Sequence, residues 1–409
     1  GMFVIEAAIA KAAEHLKISA TEIQQKNLLK SGDEFPYGQL AESEANECWN
    51  KAEADFQISK MQQDVADFNT SNTLFKKGIA VMPICFGISF TKTFMNQARS
   101  LVNVYTDGSV NISTAAVEMG QGVNTKMLQV AAKIFSISPG NIKVNSTNTY
   151  RIANTSPTAA SAAADLNGKA TALACEAILQ RMKQVAAAEL KTSVDDIKIK
   201  DGFVYSNESK TELSWEKLAM LTHVNKISLS ELAHYTPPGI YFDATIEKGH
   251  PFSYHVYGTS VITVTVDCLR GTYEIDAVKV VHDFGQSMNK MVDIGQCEGG
   301  IVQGIGWMTM EELVYDKEGK LRSNALSTYK VPDVYAAPKE IMVEALETQK
   351  ENAAIFQSKA VGEPPLMYGI GAYFAIRNAV LAFNPTAHLP FDAPMTPEKV
   401  LMGLHAQIE

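Results

Sequence analysis

Hydrophobic and polar positions along the chain predict a helical leader followed by two stretches with a similar order of elements. Residues 3–70 are predicted to be mostly helical, interrupted by a turn region at 32–38. From Lys77 onward, apolar and polar residues alternate as they do in strands. In the first helix, the apolar residues that recur at helical spacing are Ile5, Ala8, Ile9, Ala12 and Leu16.

Each of the two later stretches gives two strands joined by a tight turn, then a Gly-Gln segment and an apolar helix. This order indicates a weak internal repeat. Residues 194–240 interrupt it as a peripheral insert of short strands and one helix. The main predicted elements are strands at 79–85, 101–105, 110–113, 142–145, 254–268 and 273–281, and helices at 124–135, 165–191 and 370–381.

We therefore predict an α+β fold in which two related lobes of mixed sheets with packed helices meet, with a site in the crevice between them. The predicted domains are a helical lead segment at 1–76, a first α+β lobe at 77–240 that includes the peripheral insert, and a second α+β lobe at 241–409 that carries the loop of Glu363.

Composition and charge narrow the classes of function. The 409 residues exceed the usual size of a single hydrophobic core, and 46% of them are hydrophobic. A net charge of −9 argues against a surface for nucleic acid or for an anionic membrane. No apolar run approaches the roughly 20 residues that span a bilayer, and no basic-then-apolar leader begins the chain, so we expect a cytoplasmic location.

Neither the cysteines nor the histidines are spaced like metal ligands. There is no Cys-x-x-Cys pair and no His-Glu-x-x-His segment. None of the Gly-x-Gly segments in the chain continues as the Gly-x-Gly-x-x-Gly fingerprint of dinucleotide-binding folds. We therefore expect no metal held by a recognisable set of side chains; the five scattered cysteines are Cys48, Cys85, Cys175, Cys268 and Cys297.

The segment 359–366 places a single carboxylate, Glu363, between a glycine and two prolines. Its apolar neighbours predict little water around it, and desolvation raises the pKa of a carboxylate towards the range where it accepts a proton. The alternative is that Glu363 lies ahead of the helix at 370–381 and complements its positive end. Local sequence leaves both interpretations open.

Three loops have the small and polar residues typical of ligand-binding turns. In Gly120-Gln121-Gly122 the glycines allow close approach of backbone N–H groups, and the Gln121 amide both donates and accepts; the alternative is an ordinary strand-to-helix turn. The loop 154–164 opens a helix and could bind an anion, or its Ser and Thr residues could simply cap that helix. A third loop, the counterpart of the first, holds Gln296, Gly299, Gly300 and Gln303, and the glycines at 304 and 306 continue it as a stripe more typical of helix packing.

Together these segments resemble the molybdenum-binding region of the xanthine dehydrogenase and aldehyde oxidase family. They occur in the family's order over almost the whole chain and look most similar to the xanthine dehydrogenase branch. One departure is Lys290 after Asn289, where the family usually has a proline. The matching segments are 86–91 (FGISFT), 118–129 (EMGQGVNTKMLQ), 154–167 (NTSPTAASAAADLN), 293–306 (DIGQCEGGIVQGIG), 327–332 (STYKVP) and 359–366 (KAVGEPPL).

The resemblance implies a molybdenum cofactor-binding fold in which the metal is held through a molybdopterin by backbone and neutral polar groups. Glu363 would be the general base. Phe90 would form one wall of an aromatic sandwich around a flat heterocycle, with Thr91 beside it. Phe86, four residues before Phe90 on a strand-like pattern, is either a substrate contact or a core residue. The implied cofactor contacts are Gly120, Gln121, Gly122, Thr158, Ala159, Ala160, Ser161 and Gln296.

The implied reaction is the oxidative hydroxylation of a purine, a related N-heterocycle or an aldehyde. Electrons would pass to iron–sulfur clusters and FAD on partner chains, because this chain has no cluster ligands. Another chain would supply the preceding molybdenum-binding lobe, of which 1–76 is the remnant, and the assembly would be an oligomer. The alternative is a truncated scaffold without cofactor, or a partner-binding remnant without activity of its own.

Overall fold

The computed structural model describes residues 1–346, 348 and 352–405. The helices of this part of the chain are α1 (Met2–Leu16), α2 (Ala20–Lys26), α3 (Ala45–Phe56), α4 (Ile58–Ser71), α5 (Val123–Phe135), α6 (Ala163–Leu190), α7 (Trp215–Val224), α8 (Lys290–Thr309), α9 (Leu366–Gly369), α10 (Gly371–Phe383) and α11 (Pro397–His405). The strands are β1 (Phe75–Ile88), β2 (Ala98–Val104), β3 (Val110–Thr114), β4 (Ile142–Val144), β5 (Ile197–Lys200), β6 (Phe203–Ser206), β7 (Ser209–Ser214), β8 (Ser230–Tyr235), β9 (Tyr241–Asp243), β10 (Lys248–His250), β11 (Tyr254–Asp267), β12 (Tyr273–Asp283) and β13 (Glu340–Leu346).

Two four-stranded sheets share one pattern of strand directions, in the orders β1-β11-β12-β13 and β8-β2-β3-β4. The outer antiparallel strand comes before the hairpin in the chain in the first sheet and after it in the second. Each sheet contains an antiparallel hairpin with an antiparallel strand on one side. On the other side lies a parallel strand, which the chain reaches after a helix, α8 in one sheet and α5 in the other. The internal repeat predicted from the sequence is confirmed, as is the α+β class with mixed sheets and packed helices.

The first sheet draws residues from both predicted lobes. β1 pairs with β11 along its whole length, from Phe75 opposite Asp267 to Ile88 opposite Tyr254. Strands from both sides of residue 240 therefore share one hydrophobic core, while the domain limits proposed above stay a prediction.

Helices cover both faces of the first sheet. On one face α10 crosses β1 so closely that a Cβ at Gly78 would lie 1.8 Å from the carbonyl oxygen of Ala375. On the other face α3 buries Trp49 and Phe56 against β11 and β12. Full burial of side chains of this kind stabilises a fold by about 1.5–3 kcal/mol each. The buried helix predicted at 370–381 is confirmed as α10.

Helix α1 does not bury the apolar stripe that its sequence suggests. It packs the Phe3 ring against Tyr373, with ring centroids 4.9 Å apart, and buries Glu6. Ile5 is 56% exposed and Leu16 is 59% exposed. An aromatic ring buries more area than an aliphatic side chain, so Phe3 sets which face of the helix turns inward.

Gln296 and its neighbours lie in a helix, so the prediction of a third loop is wrong. Asn289 caps α8 through a 3.1 Å hydrogen bond from the Val292 N–H to its side-chain oxygen, and Lys290 is the first helical residue. Glycine lowers helix propensity by about 1 kcal/mol relative to alanine, which is why the sequence suggested a loop. Tertiary packing outweighs this cost, because a Cβ at Gly304 would lie 2.1 Å from the carbonyl oxygen of Leu366.

Among the described residues, one helical stretch, Leu366–Phe383, has the length and composition of a membrane span, but 67% of it is buried inside the protein. This is the burial of a core helix. No group of three or more His, Cys, Asp or Glu side chains in the described part of the chain is arranged to hold a metal ion. The cytoplasmic location stays a prediction.

Candidate functional site

A cavity of about 300 Å³ lies where the loop before α5, the start of α6, α8 and the segment 358–363 meet. It brings together Gln121, Gln296 and Glu363, which lie far apart in the sequence. Gly120 and Gly122, which flank Gln121, do not line the cavity. The lining residues are Met119, Gln121, Val123, Lys126, Thr158, Ala159, Ala160, Ser161, Ala163, Ala164, Asp165, Gln296, Ser358, Lys359, Ala360, Val361, Gly362 and Glu363.

Ser161 and Glu363 are joined by two hydrogen bonds. The Glu363 backbone N–H donates to Ser161 Oγ over 2.8 Å, and the Ser161 hydroxyl donates to Glu363 Oε2 over 2.9 Å. Ala160 and Ser161 both have left-handed backbone conformations, with φ of 55° and 53°. A Cβ at Gly362 would lie 2.8 Å from Ser161 Oγ, so glycine is needed for this close approach. The pair fixes the direction of the Glu363 carboxylate at the cavity wall.

The Glu363 side chain is exposed to solvent. The prediction that little water surrounds it is therefore wrong for this chain. The apolar neighbours in its sequence, Val361, Pro364 and Pro365, are themselves buried, but they leave the carboxylate exposed. Within the described residues the chain supplies the floor of the cavity and leaves the side above Glu363 open.

Glu118 organises the loop that carries Gln121. Its carboxylate accepts backbone N–H bonds from Gly120, Gly122 and Asn124 at 2.9–3.0 Å. Partial burial alone would raise the pKa of Glu118, but these donors outweigh it and lower the pKa. The Gln121 amide accepts from the Met119 N–H and donates to a backbone carbonyl, which leaves it one N–H and one lone pair for a ligand.

The start of α6 has no side-chain cap, and its N-cap residue is Ala162. The alternative that Ser or Thr caps this helix is therefore not what occurs: Ser161 binds Glu363, and Thr158 accepts the Val117 N–H over 2.9 Å. The first N–H groups of a helix have no partner within the helix and attract anions. Ala163 and Ala164 are the first two residues of α6 and line the cavity. Their small side chains leave room for a ligand to reach these N–H groups.

Asp165 lies at the cavity floor and was not identified from the sequence. The Tyr254 hydroxyl donates to its carboxylate over 2.6 Å. Burial raises the pKa of Asp165 to about 6, although the hydrogen bond from Tyr254 opposes the shift. Asp165 is half-buried and lines the cavity. Its sequence signals were its position at the start of a predicted helix and its place in the matching segment 154–167.

Two buried lysines at the cavity were also missed. Lys126 forms a 2.7 Å ion pair with Asp293, which ties α5 to α8. Lys359 pairs with Asp283 and with Glu44, and its buried position would lower its pKa, but these carboxylates raise it. Lys359 thereby anchors the segment that carries Glu363. Lys126 lies four residues after Gly122, and Lys359 lies four residues before Glu363. The carboxylates that pair with the two lysines are distant in the sequence, so these ion pairs could not be predicted from it.

The predicted substrate contacts do not line the cavity. β1 ends at Ile88, and Phe90 lies in a turn, where it exchanges two 2.8 Å hydrogen bonds with Asn96. Phe86 and Phe90 are therefore not two positions on one strand face, as their spacing suggested. Phe86 is half-buried and packs on a core cluster that includes Ala162 and Ala360, and Thr91 is exposed.

Comparison with known proteins extends this picture. The chain is 38% identical to mouse xanthine dehydrogenase/oxidase over 408 residues, which is 98% of this chain and 29% of the mouse protein. Its fold is similar to that of quinoline 2-oxidoreductase from Pseudomonas putida 86, with a TM-score of 0.84 and 22% identity, covering 100% of this chain and 52% of that one. For the aldehyde oxidoreductase from Desulfovibrio desulfuricans the TM-score is 0.80 at 23% identity, covering 98% and 40% of the two chains.

The chain thus spans about 29% of the length of the curated relatives it matches. The resemblance to the xanthine dehydrogenase and aldehyde oxidase family is confirmed. A family model described as a molybdopterin cofactor-binding domain matches residues 51–338. The chain belongs to the molybdopterin cofactor-binding domain family.

Proposed function

We propose that this chain forms part of the active site of a molybdenum hydroxylase and that Glu363 is its general base. The observation that carries the proposal is the Ser161–Glu363 pair, which brings the candidate base to the rim of the cavity lined by Gln121 and Gln296. These three segments are distant in the sequence and meet only through the fold.

The residues present fit a molybdopterin. The uncapped start of α6 suits the anionic phosphate that the cofactor carries. The spare donor and acceptor of Gln121, with the amide of Gln296, suit neutral polar groups. Small residues at 159–164 leave backbone within reach of a ligand. When bound, the cofactor would supply the two-electron oxidation of the substrate, while Glu363 accepts a proton and Ser161 orients its carboxylate.

The proposed substrates are purines, related N-heterocycles or aldehydes, by analogy with the relatives. Because Glu363 is exposed here, catalysis needs a second wall that excludes water from the carboxylate. We propose that a further molybdenum-binding region supplies this wall and that iron–sulfur and FAD-bearing chains take the electrons. The short share of the relatives' length that this chain covers supports that arrangement.

The test is co-expression of this chain with a polypeptide carrying the remaining molybdenum-binding region and with the iron–sulfur and FAD chains. The readouts are bound molybdenum and the oxidation of hypoxanthine or xanthine. We expect Glu363→Gln to retain molybdenum and to lose turnover by at least about 100-fold, as for removal of a general base. Glu22→Gln, on an exposed helix, is the matched control. Undiminished turnover in Glu363→Gln would refute the assignment.

A further inference from the structure

We propose that a second cavity, which lies between α1, α2, β1 and α10, binds a small organic cation that carries a primary ammonium group on a short apolar chain. No residue lines both this cavity and the one beside Glu363, so the inference does not rest on the proposed function. The lining of the second cavity includes Glu6, Ala10, Ala13, Gln24, Phe374 and Leu381.

Glu6 brings a buried carboxylate to this cavity. The residue is 6% exposed, and its side chain accepts one hydrogen bond, which Gln24 Nε2 donates to Oε2 over 2.7 Å. Among the described residues, no Lys, Arg or His side chain forms an ion pair with Glu6. Burial of a carboxylate without a cation is costly, and it raises the pKa of Glu6 to about 7. A cation bound beside the carboxylate would offset this cost.

Gln24 supplies a second buried acceptor at the same cavity. It is 5% exposed, and its Oε1 receives no hydrogen bond from any residue in the described part of the chain. Its Nε2 donates to the Val81 carbonyl oxygen over 2.9 Å as well as to Glu6. The opposite orientation of the amide would place two acceptor oxygens against each other, so the contact with Val81 fixes which end lacks a partner. A ligand with N–H donors would satisfy this oxygen.

The rest of the lining has room for a short carbon chain. The cavity has a volume of about 360 Å³, near the lower end of the range for small-molecule sites. Ala10 lies four residues after Glu6 and therefore on the same side of α1. Phe374 and Leu381 of α10 also line the cavity, so most of its surface is apolar. An alkyl chain fits this surface while its charged end meets the two acceptors.

The two acceptors favour an ammonium group over other cations. An ammonium is compact and has three N–H donors, so it can donate to Glu6 and Gln24 together. A guanidinium pairs best with both oxygens of a carboxylate, but Oε2 of Glu6 already accepts from Gln24. Mg²⁺ and Ca²⁺ need at least about six oxygen ligands. The described residues contain no group of three or more His, Cys, Asp or Glu placed to hold such an ion.

The other charged groups that line the cavity leave Glu6 available to a ligand. Glu14 forms an ion pair with Arg377 of α10, and Lys17 forms no ion pair with Glu6. Glu14 and Lys17 are exposed, whereas Glu6 and Gln24 are buried. The exposed pair therefore marks the side on which the cavity meets solvent, and a ligand enters from that side with its ammonium group directed towards Glu6.

Isothermal titration calorimetry of the 409-residue chain tests the proposal. At pH 8 Glu6, with a pKa of about 7, is mostly ionised, and an alkylammonium keeps its proton as lysine does. The probes are n-butylammonium, n-butylguanidinium, 1-butanol and tetramethylammonium, which has the charge but no N–H donor. We expect saturable binding of butylammonium to one site, at least about tenfold tighter than the other three. No saturable binding of butylammonium, or equal or tighter binding of any other probe, would overturn the proposal.

Two substitutions locate the binding. Glu6→Gln removes the charge at constant size, and Ala10→Leu fills the cavity while keeping Glu6. Each should weaken butylammonium binding at least about tenfold and abolish the rise in melting temperature that the ligand gives the wild type. The matched controls Glu22→Gln and Ala54→Leu, both at exposed positions, should bind like the wild type.

The melting curves also show that each variant is folded, so a loss of binding is not a loss of structure. Unchanged affinity in either Glu6→Gln or Ala10→Leu would place the binding elsewhere and overturn the assignment of the cavity. The experiment involves neither molybdenum nor turnover, so its result does not depend on the proposed function.

Discussion

At the scale of single residues, the site is held by backbone conformations that cost free energy and by hydrogen bonds that offset them. Ala160 and Ser161 are left-handed, which costs a non-glycine residue about 1–3 kcal/mol. In that conformation the Ser161 hydroxyl reaches both the backbone and the carboxylate of Glu363. The strain is thus located where the cavity loop meets the candidate base.

Replacing Ala160 by glycine tests this strain. Glycine adopts φ near 55° freely, so Ala160→Gly should leave the free energy of unfolding unchanged or raise it by up to about 1 kcal/mol. Ala54→Gly, in the last turn of α3, should lower it by up to about 1 kcal/mol. Urea denaturation of both variants measures the difference. An equal loss in both would mean that Ala160 is not strained.

Glu6 gives the stability of the chain a dependence on pH. Burial raises the pKa of Glu6 from 4.5 to about 7, partly offset by the 2.7 Å hydrogen bond from Gln24. The folded state therefore favours the protonated carboxyl. This contribution is complete below the ordinary pKa and is lost as the pH rises through about 7.

Between about pH 5 and pH 8, the free energy of unfolding should fall by up to about 3 kcal/mol through this group. Glu6→Gln should remove that part of the dependence, whereas Glu22→Gln on the exposed face of α2 should retain it. Denaturation curves at the two pH values provide the measurement. A pH dependence identical in all three proteins would exclude Glu6 as its source.

At the scale of elements, the hydrophobic pattern predicted the strands, the hairpins and α10 because these depend on local periodicity. It failed at α8, where two adjacent glycines suggested a loop and contacts with 365–369 stabilise a helix instead. It also missed Lys126, whose role comes from an ion pair with Asp293 on a distant helix. The exposure of Glu363 could not be read from its neighbours, because it depends on which elements lie above the loop.

The packing of α8 predicts opposite effects for one substitution at two positions. Gly304→Ala should lower the free energy of unfolding by about 1–3 kcal/mol, because its Cβ would overlap the Leu366 carbonyl. Gly299→Ala should raise it by about 1 kcal/mol through helix propensity, since its Cβ has open space. Thermal and chemical denaturation compare the pair. The same sign at both positions would contradict the close contact of α8 with α9.

At the scale of the whole molecule, a unit of hairpin, helix and parallel strand occurs twice, and the cavity lies between the two units. The helices α5 and α8, which cross over in corresponding places of the two sheets, contribute Lys126 and Gln296 to the same cavity. The chain thereby forms one wall of the cavity, which carries the polar side chains of Lys126 and Gln296. The side of the cavity above Glu363 stays open among the described residues.

The isolated chain should therefore purify without cofactor. A large pterin bound to one wall would keep much of its surface in water, and the binding free energy would be too small to retain it. Metal analysis of the purified lone chain measures this directly. Stoichiometric molybdenum in that preparation would show that no second wall is needed.

The most direct test of the central claim is the molybdenum content of the assembled protein with the cavity open or filled. The wild-type chain, co-purified with the completing region, should carry about one molybdenum and one pterin per chain. Ala163→Phe, which places a ring in the cavity at the start of α6, should co-purify equally well but carry neither, while Ala54→Phe should match the wild type. Equal molybdenum in the Ala163→Phe protein, or none in the wild-type assembly, would contradict the account.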